Sequence, residues 1–425
     1  MRIKKFKIEN FRGFEELELE FSSTSNVAVL ISQNGGGKTS ILDALRLSLG
    51  QIVCLIVKKI NYLYDKNFED LITEKDIKSG ADQYVVEALI EETPENQIVT
   101  RNTTETLESE VHSVSSGGLH NTLDNEDSNI PIIAFYNSSL YSLSGAKLPG
   151  FKYKQQLALY NSMNAPFTKF IDFVTWYIYE KKNSEVLKTP SKAIQTINDI
   201  MLRFLNEADE NQFDNLGLIK KMDPPNDIFD IAKENFSLCI NKNGILLDVG
   251  QLSAGEKQML MLVIDIARRL ILANPSLENP LLGTGIVLID EIEQHLHPKW
   301  QRNIIPALTQ NFPNIQFIVT THSPQVVSQV PNKSVFILQN NSLKENNFYN
   351  EGRDSNFVLA DIFGLSRFTA EYKEKKDEFY QMLNERNAEN ARKILNELAE
   401  KWGEFDTEII RANLYLQDLL DEVEI

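Results

Sequence analysis

The 425-residue sequence predicts an α/β fold: a mainly parallel core sheet, an antiparallel β lobe, a helical insertion and a helical C-terminal tail. Three observations carry this expectation. Short unbroken apolar runs at Val27–Ile31, Ile286–Ile289 and Ile315–Val319 suit strands buried on both faces of a parallel sheet. Residues 3–21 instead alternate apolar and polar, as half-buried strands do. From about Phe151 to Ala208, and again beyond residue 364, the apolar spacing is helical. The run Ile286–Ile289 leads straight into Asp290 and Glu291. Acids at the carboxyl end of such a strand emerge where open α/β sheets bind ligands. A core strand followed by an acidic turn would look the same in isolation.

The length allows two or three domains. The formal charge is −17, from 43 Lys and Arg against 60 Asp and Glu. Non-specific nucleic-acid binding depends on Lys and Arg at phosphates, so it would need a local basic patch or a partner that supplies one. No long basic run is present. Cys54 and Cys239 imply no disulfide framework and read as small buried hydrophobes. No apolar run reaches the ~18 residues that span a membrane, and the N-terminus lacks the apolar core of a signal peptide. A cytoplasmic location away from membranes is the expectation.

Taken in order, Ile3, Phe6 and Ile8, then Leu17, Leu19 and Phe21, form a strand pair about the turn Asn10-Phe-Arg-Gly13. Val27–Ile31 enters Ser32-Gln-Asn-Gly-Gly-Gly-Lys-Thr39. A helix from Ser40 to Leu49 follows, with Ile41, Leu42, Leu45 and Leu49 on one face. Strand, glycine loop and helix is the context that makes a phosphate-binding loop credible. Backbone N–H groups at Asn34, Gly35, Gly36 and Gly37 would wrap the phosphates, where a side chain would block the approach. The helix start, with Ser40, adds donors and a favourable dipole. Lys38 would reach the β- and γ-phosphates of ATP, and the Thr39 hydroxyl would ligate Mg²⁺. The usual pattern begins with Gly, where this chain has Ser32.

Strands are expected at Tyr84–Ile90 and Ile130–Tyr136, with a polar, flexible loop over residues 102–129 between them. Phe167, Phe170, Ile171, Val174 and Ile178 line one helix face. Pro190 starts another helix that carries Ile194, Ile197, Met201, Leu202 and Leu205. Phe236–Val249 is a hairpin across Asn243-Gly244. It delivers the chain to Leu252-Ser-Ala-Gly-Glu-Lys-Gln258, where Ser253 caps a helix running through Met261, Ile264 and Arg268. The free N–H groups and the Ser hydroxyl there can meet a γ-phosphate, although an ordinary capped helix reads the same way. His295 and His297 have the spacing of metal ligands, but no Cys or third His lies near in sequence to complete a site. After a helix from Trp300 to Leu308, Ile315–Val319 ends in Thr320-Thr-His-Ser-Pro324, and residues 333–339 make one more strand. Amphipathic helices at about 388–402 and 407–424 close the chain, as a solvated tail or as a docking surface.

Four stretches, at residues 32–39, 252–258, 286–298 and 319–324, together resemble the complete site of an ABC/SMC-type ATPase. The opening Arg-Ile-x-x-Phe-x-Ile-x-Asn-Phe-Arg-Gly resembles SMC-like and RecF-like members. The resemblance implies an ABC-type P-loop ATPase head that takes ATP and Mg²⁺ and pairs as a homodimer or higher homo-oligomer through its ATP sites. It places Arg12 near the phosphates, Asp290 on Mg²⁺, Glu291 on the attacking water and His322 as the switch histidine that senses the γ-phosphate. Ser253, Gly255 and Glu256 would belong to the signature that faces the ATP of the other subunit. Transporter ATPases lack the Asn-Phe-Arg-Gly start. Nucleases of the overcoming-lysogenization-defect family share the Glu-x-His-Leu-His-Pro style but add a Toprim domain, whereas residues 365–425 here read as helical. The pattern is most similar to the PtuA family, the ATPases of Septu anti-phage systems. That family pairs with a separate HNH nuclease, PtuB, and in some cases with a retron reverse transcriptase. The expectation is an ATPase without a nuclease site of its own that controls an HNH nuclease partner and meets nucleic acid through the complex. The alternative is a RecF/SMC-like DNA repair ATPase that binds DNA directly. The expected divisions are residues 1–150 for the N-terminal lobe, 151–235 for the helical insertion, 236–350 for the C-terminal lobe and 351–425 for the tail.

Overall fold

The apolar runs become the centre of a six-stranded sheet in the order β14-β13-β3-β12-β11-β7. The strands are β3 (Val27–Ser32), β7 (Ile132–Tyr136), β11 (Gly285–Ile289), β12 (Ile315–Thr321), β13 (Val335–Gln339) and β14 (Ser342–Lys344). All neighbours are parallel except the edge pair β13–β14. Every residue of β3, β7, β11 and β12 is buried, the physical reason that these segments read as continuous apolar runs. Because β12 lies between β3 and β11, the carboxyl ends of all three open on one edge. The computed structural model describes residues 1–33, 35–59, 76–93, 96–103, 112–113, 129–137, 158–159, 170–208, 212–220, 236–344, 346, 349–363 and 369–423.

The alternating N-terminus forms β1 (Arg2–Phe11) and β2 (Phe14–Glu20). They join an antiparallel sheet ordered β2-β1-β4-β5-β6, with β4 (Val85–Thr93), β5 (Asn96–Thr103) and β6 (His112–Ser113). The register sets Phe6 opposite Leu19 and Ile8 opposite Leu17, so one face is apolar and buried. The buried Gln316 side chain of β12 stitches this lobe to the core sheet. Its Oε1 accepts from Ile3 N–H at 2.7 Å and its Nε2 donates to Ile3 C=O at 3.0 Å. The loop expected at 102–129 lies largely outside the described residues, and β6 falls inside it.

Helix α1 spans Lys38–Lys59 and runs past the expected end at Leu49. Ile52, Val53 and Ile56 continue the buried stripe beyond Gly50, and burial outweighs the ~1 kcal/mol cost of a helical Gly. Residues 170–208 supply α2 (Phe170–Leu187) and α3 (Lys192–Ala208). Of the face expected for α2, Val174 is buried and Ile178 half-buried; Phe167 and the side chains of Phe170 and Ile171 lie outside the description. Phe173, Trp176 and Tyr177 supply the rest of the buried face. Apolar residues are so dense here that spacing alone does not choose a side. On α3, Ile197, Met201 and Leu205 are buried as expected. A three-stranded sheet, β10-β9-β8, contains β8 (Phe213–Lys220) and the hairpin β9 (Phe236–Lys242) and β10 (Ile245–Asp248). Its turn residues Asn243 and Gly244 have φ of 52° and 81°, the positive pair a tight hairpin demands. Helices α4 (Ala254–Ala273) and α5 (Pro298–Asn311) complete the layers.

The chain divides into two compact units, residues 1–358 and 359–425. The second unit begins at Leu359. Asn350 is fully buried, with its Nδ2 donating to Val327 C=O at 2.9 Å and Val330 C=O at 2.7 Å, which keeps its segment with the first unit. The second unit packs α6 (Ala370–Asn384), α7 (Ala388–Trp402) and α8 (Thr407–Val423) around Phe379, Leu395, Leu398, Ile409 and Leu416. Among the described residues, no helix is long and apolar enough to cross a membrane.

Candidate nucleotide site

The loop after β3 is shaped for backbone alone. A Cβ on Gly36 would lie 2.5 Å from Ser32 Cβ. One on Gly37, whose φ is +88°, would lie 2.3 Å from the Phe14 ring. Only glycine lets the N–H groups line this turn. Gly35 shares the positive φ, and Asn34 lies outside the described residues.

Lys38 opens α1 and is 7% exposed. Its ammonium donates to Ser32 Oγ at 3.1 Å and to His322 Nε2 at 2.8 Å. An ammonium cannot accept, so the imidazole presents its lone pair at Nε2 in this contact. Burial lowers the Lys38 pKa, and Asp290, Glu293 and Glu291 oppose the shift. Ser32 stands where the usual loop has Gly, and here it supplies an acceptor that orients the lysine.

Thr39 Oγ1 donates to Asp290 Oδ2 at 3.3 Å, and Thr320 Oγ1 donates to Asp290 Oδ1 at 2.5 Å. The Asp290 N–H is taken by the Tyr136 carbonyl at 2.8 Å. Glu291 holds a φ of 50°, its N–H bonded to Thr320 Oγ1 at 2.8 Å. Glu293 accepts from the Thr321 hydroxyl and from the His322 N–H, both at 2.6 Å. The structure thus brings Lys38, Thr39, Asp290 and His322 together, and adds Thr320 and Glu293, which sequence reasoning missed. The contacts of both cross from β11 to β12, a neighbour relation that no spacing within either segment reveals.

The Arg12 guanidinium lies beside the early turns of α1. It donates to Asp76 at 2.7 Å and to Asp43 at 2.8 Å, and it stands 3.4 Å from Ser40 Oγ. Two carboxylates hold the residue that the resemblance aims at phosphate. Burial pulls its pKa down, and the hydrogen bonds to Asp76 and Asp43 raise it overall.

A second group gathers at the start of α4. Ser253 is the N-cap, and Glu256 closes a capping box by accepting from Ser253 N–H at 2.8 Å. Glu256 also pairs with Lys242 at 2.5 Å. Burial would raise the Glu256 pKa, but Lys242 and Ser253 lower it overall. This carboxylate thus fixes its own helix end, whereas Ser253 is exposed. A Cβ on Gly255 would lie 2.7 Å from the His295 carbonyl, so the helix start and the loop beyond Glu291 fit only with glycine between them. His297 caps α5, its Nδ1 accepting from Lys299 N–H at 3.4 Å. On α4, deeper in the molecule, Asp265 is fully buried. It pairs with Arg268 at 2.7 Å and Arg269 at 2.6 Å, and accepts from the Tyr136 hydroxyl at 2.8 Å.

Residues 27–328, most of the first unit, match the family described as "AAA domain, putative AbiEii toxin, Type IV TA system". The chain belongs to this family of P-loop ATPases. The ATPase is 30% identical to the "Retron Ec83 probable ATPase" of Escherichia coli, over 98% of its own length and 87% of the relative's. Identity to the "Retron Vc95 probable ATPase" of Vibrio cholerae serotype O1 biovar El Tor is 30%, over 80% and 73%. Identity to the Septu protein PtuA of Bacillus mycoides is 25%, over 94% of this chain and 50% of that one. The ATPase is thus related to the retron and Septu ATPases. Its residues fit the ligands of that family. The Gly36–Gly37 cradle has room for nothing larger than backbone, and the Thr39 hydroxyl beside the Asp290 carboxylate is the hard-oxygen donor set that Mg²⁺ takes.

Proposed function

We propose that this ATPase is a dimeric, ATP-driven switch that gates a partner HNH nuclease in anti-phage defence. One observation carries the chemical part: Lys38, Thr39, Asp290 and His322 converge at the ends of three adjacent strands. Relatedness to the retron and Septu ATPases supports the defence role. In this reading the N–H groups of residues 34–37, with Lys38 and Ser40, bind the phosphates. Thr39 and Asp290 hold Mg²⁺, which neutralises phosphate charge. Glu291 orients and deprotonates the attacking water, and His322 contacts the γ-phosphate. One glycine loop surrounds the phosphates on one side only. The exposed Ser253 and the Gly255 N–H of a second subunit, at a helix N-terminus, supply donors on the other side. ATP then joins two subunits, and hydrolysis followed by departure of the cleaved γ-phosphate removes the charge that joins them. The net charge of −17 suits a basic partner that itself contacts nucleic acid.

A mixing experiment tests the shared site. Lys38→Ala removes a charge-assisted contact worth ~1.5–3 kcal/mol and should weaken ATP binding by about 10–100-fold in calorimetry. Ser253→Arg should bind ATP normally and hydrolyse it poorly, because its bulk blocks the facing subunit. In a mixture of the two, one composite site is intact and the other carries both defects, so part of the ATP turnover should return. A mixture that stays inactive despite demonstrated subunit exchange, with Lys38→Ala not inhibiting wild type in titration, would overturn the shared site.

A further inference from the structure

Strands β11 and β12 run side by side, so the segments leaving their carboxyl ends are neighbours. The segment after β11 is pinned at once, with Ile292 N–H donating to Thr320 C=O at 3.1 Å and Gln294 N–H to Glu291 C=O at 2.9 Å. This geometry delivers the Glu293 carboxylate to the end of β12 and uses both its oxygens. Oε1 accepts the His322 backbone N–H and Oε2 accepts the Thr321 hydroxyl, each at 2.6 Å. Thr321 Oγ1 in turn accepts from Ser323 N–H at 2.9 Å. Ser323 Oγ accepts from Gln325 and Val326 N–H and donates to Gln301 Oε1 at 2.7 Å. Residues 321 and 322 therefore hang on one carboxylate through short, charge-assisted bonds, and Ser323 follows through the Thr321 hydroxyl. The His322 ring, carried by that backbone, meets Lys38 at 2.8 Å.

We infer that Glu293 is a positioning residue for hydrolysis: its carboxylate fixes the backbone of His322 and so fixes where the imidazole meets the γ-phosphate. The inference rests on the ATPase reading above and deepens it. Glu293 touches neither ATP nor the attacking water; it acts through His322. A residue that only filled the loop would affect folding, and one that acted through the Lys38 charge would weaken ATP binding. A positioning residue changes turnover instead, because small misplacements of a group that works in the transition state are costly.

The test measures kcat and KM for ATP in wild type, Glu293→Ala, Glu293→Gln, His322→Ala and Glu293→Ala/His322→Ala. Glu293→Ala should lower kcat about tenfold or more with KM little changed. Glu293→Gln, which keeps an oxygen for the His322 N–H, should recover part of the loss and covers the case in which alanine does not fold. In the His322→Ala background, Glu293→Ala should add little, since the group it positions is gone. Full multiplicative loss in the double variant, a loss confined to KM, or wild-type turnover in Glu293→Ala would each overturn the inference. If His322→Ala turnover falls below detection, the order alanine below glutamine below wild type in kcat decides; glutamine no better than alanine would then defeat the inference. Wild type that hydrolyses no ATP would defeat the ATPase reading itself, a different outcome from wild-type turnover with an indifferent Glu293.

Discussion

Glu291→Gln should slow ATP turnover by about 10²-fold or more, the worth of a positioned general base, while ATP still binds. The backbone argues for a clean substitution. Glu291 sits at a φ of 50°, with its N–H bonded to Thr320 Oγ1, and the same Thr320 hydroxyl donates to Asp290. Glutamine keeps the shape and the backbone contact, so Asp290 and the end of β11 stay in place. It loses only the ability to take a proton from water. Binding measured by calorimetry should stay within a few-fold of wild type, and the ATP-bound dimer should accumulate in size-exclusion chromatography with light scattering. Turnover equal to wild type would remove Glu291 from the reaction and leave the base to another group.

Asp265→Asn should destabilise the first unit by about 3–5 kcal/mol, the typical result of removing one partner from a buried ionic cluster. Asp265 is fully buried between Arg268 and Arg269 and accepts from Tyr136. Asparagine matches its size but leaves two guanidinium groups in the interior without their counter-charge. Burial alone would push the Asp265 carboxyl up, but Arg269 and Arg268 hold it well below the usual carboxylate range. A depressed folded-state pKa means that the stabilisation is present above the unfolded value of about 3.9. It fades only as pH falls through the lower folded value. Urea titrations at neutral pH should therefore show the full loss in the variant, and the gap from wild type should close only in strong acid. A loss below about 1 kcal/mol at neutral pH would show that the arginines find other partners.

Much of this architecture is legible in the sequence because its physical causes are local. Val27–Ile31, Ile286–Ile289 and Ile315–Val319 read as strands since burial on both faces leaves no polar position. The loop at Gly35–Lys38 is legible because a backbone-only cradle excludes side chains. Ser253 and Glu256 carry the spacing of a capping box, yet the spacing does not reveal that Lys242 engages the same carboxylate from a neighbouring hairpin. Arg12 shows the limit of motif reading, because Asp76 lies 64 residues away and nothing near the turn announces it. Glu293 is hidden for a related reason. Its partners at 321 and 322 become neighbours only once β11 and β12 pair. The buried face of α2 is hidden by excess, with aromatic residues on too many sides for periodicity to choose.

Tyr136 is held at both ends: its carbonyl takes the Asp290 N–H, and its hydroxyl donates to Asp265 on α4. Ser253 lies 12 residues before Asp265 at the start of that helix, about 18 Å along its axis. A helix is stiff over such a distance, so α4 works as a strut with its start at the surface and its middle tied to Tyr136 of β7, whose carbonyl holds Asp290. Any load applied at Ser253 is delivered to the neighbourhood of Asp290 with little slack. The ionic clamp at Asp265 then sets the compliance of that linkage as well as the stability of the fold, and softening it would let α4 and Tyr136 drift independently.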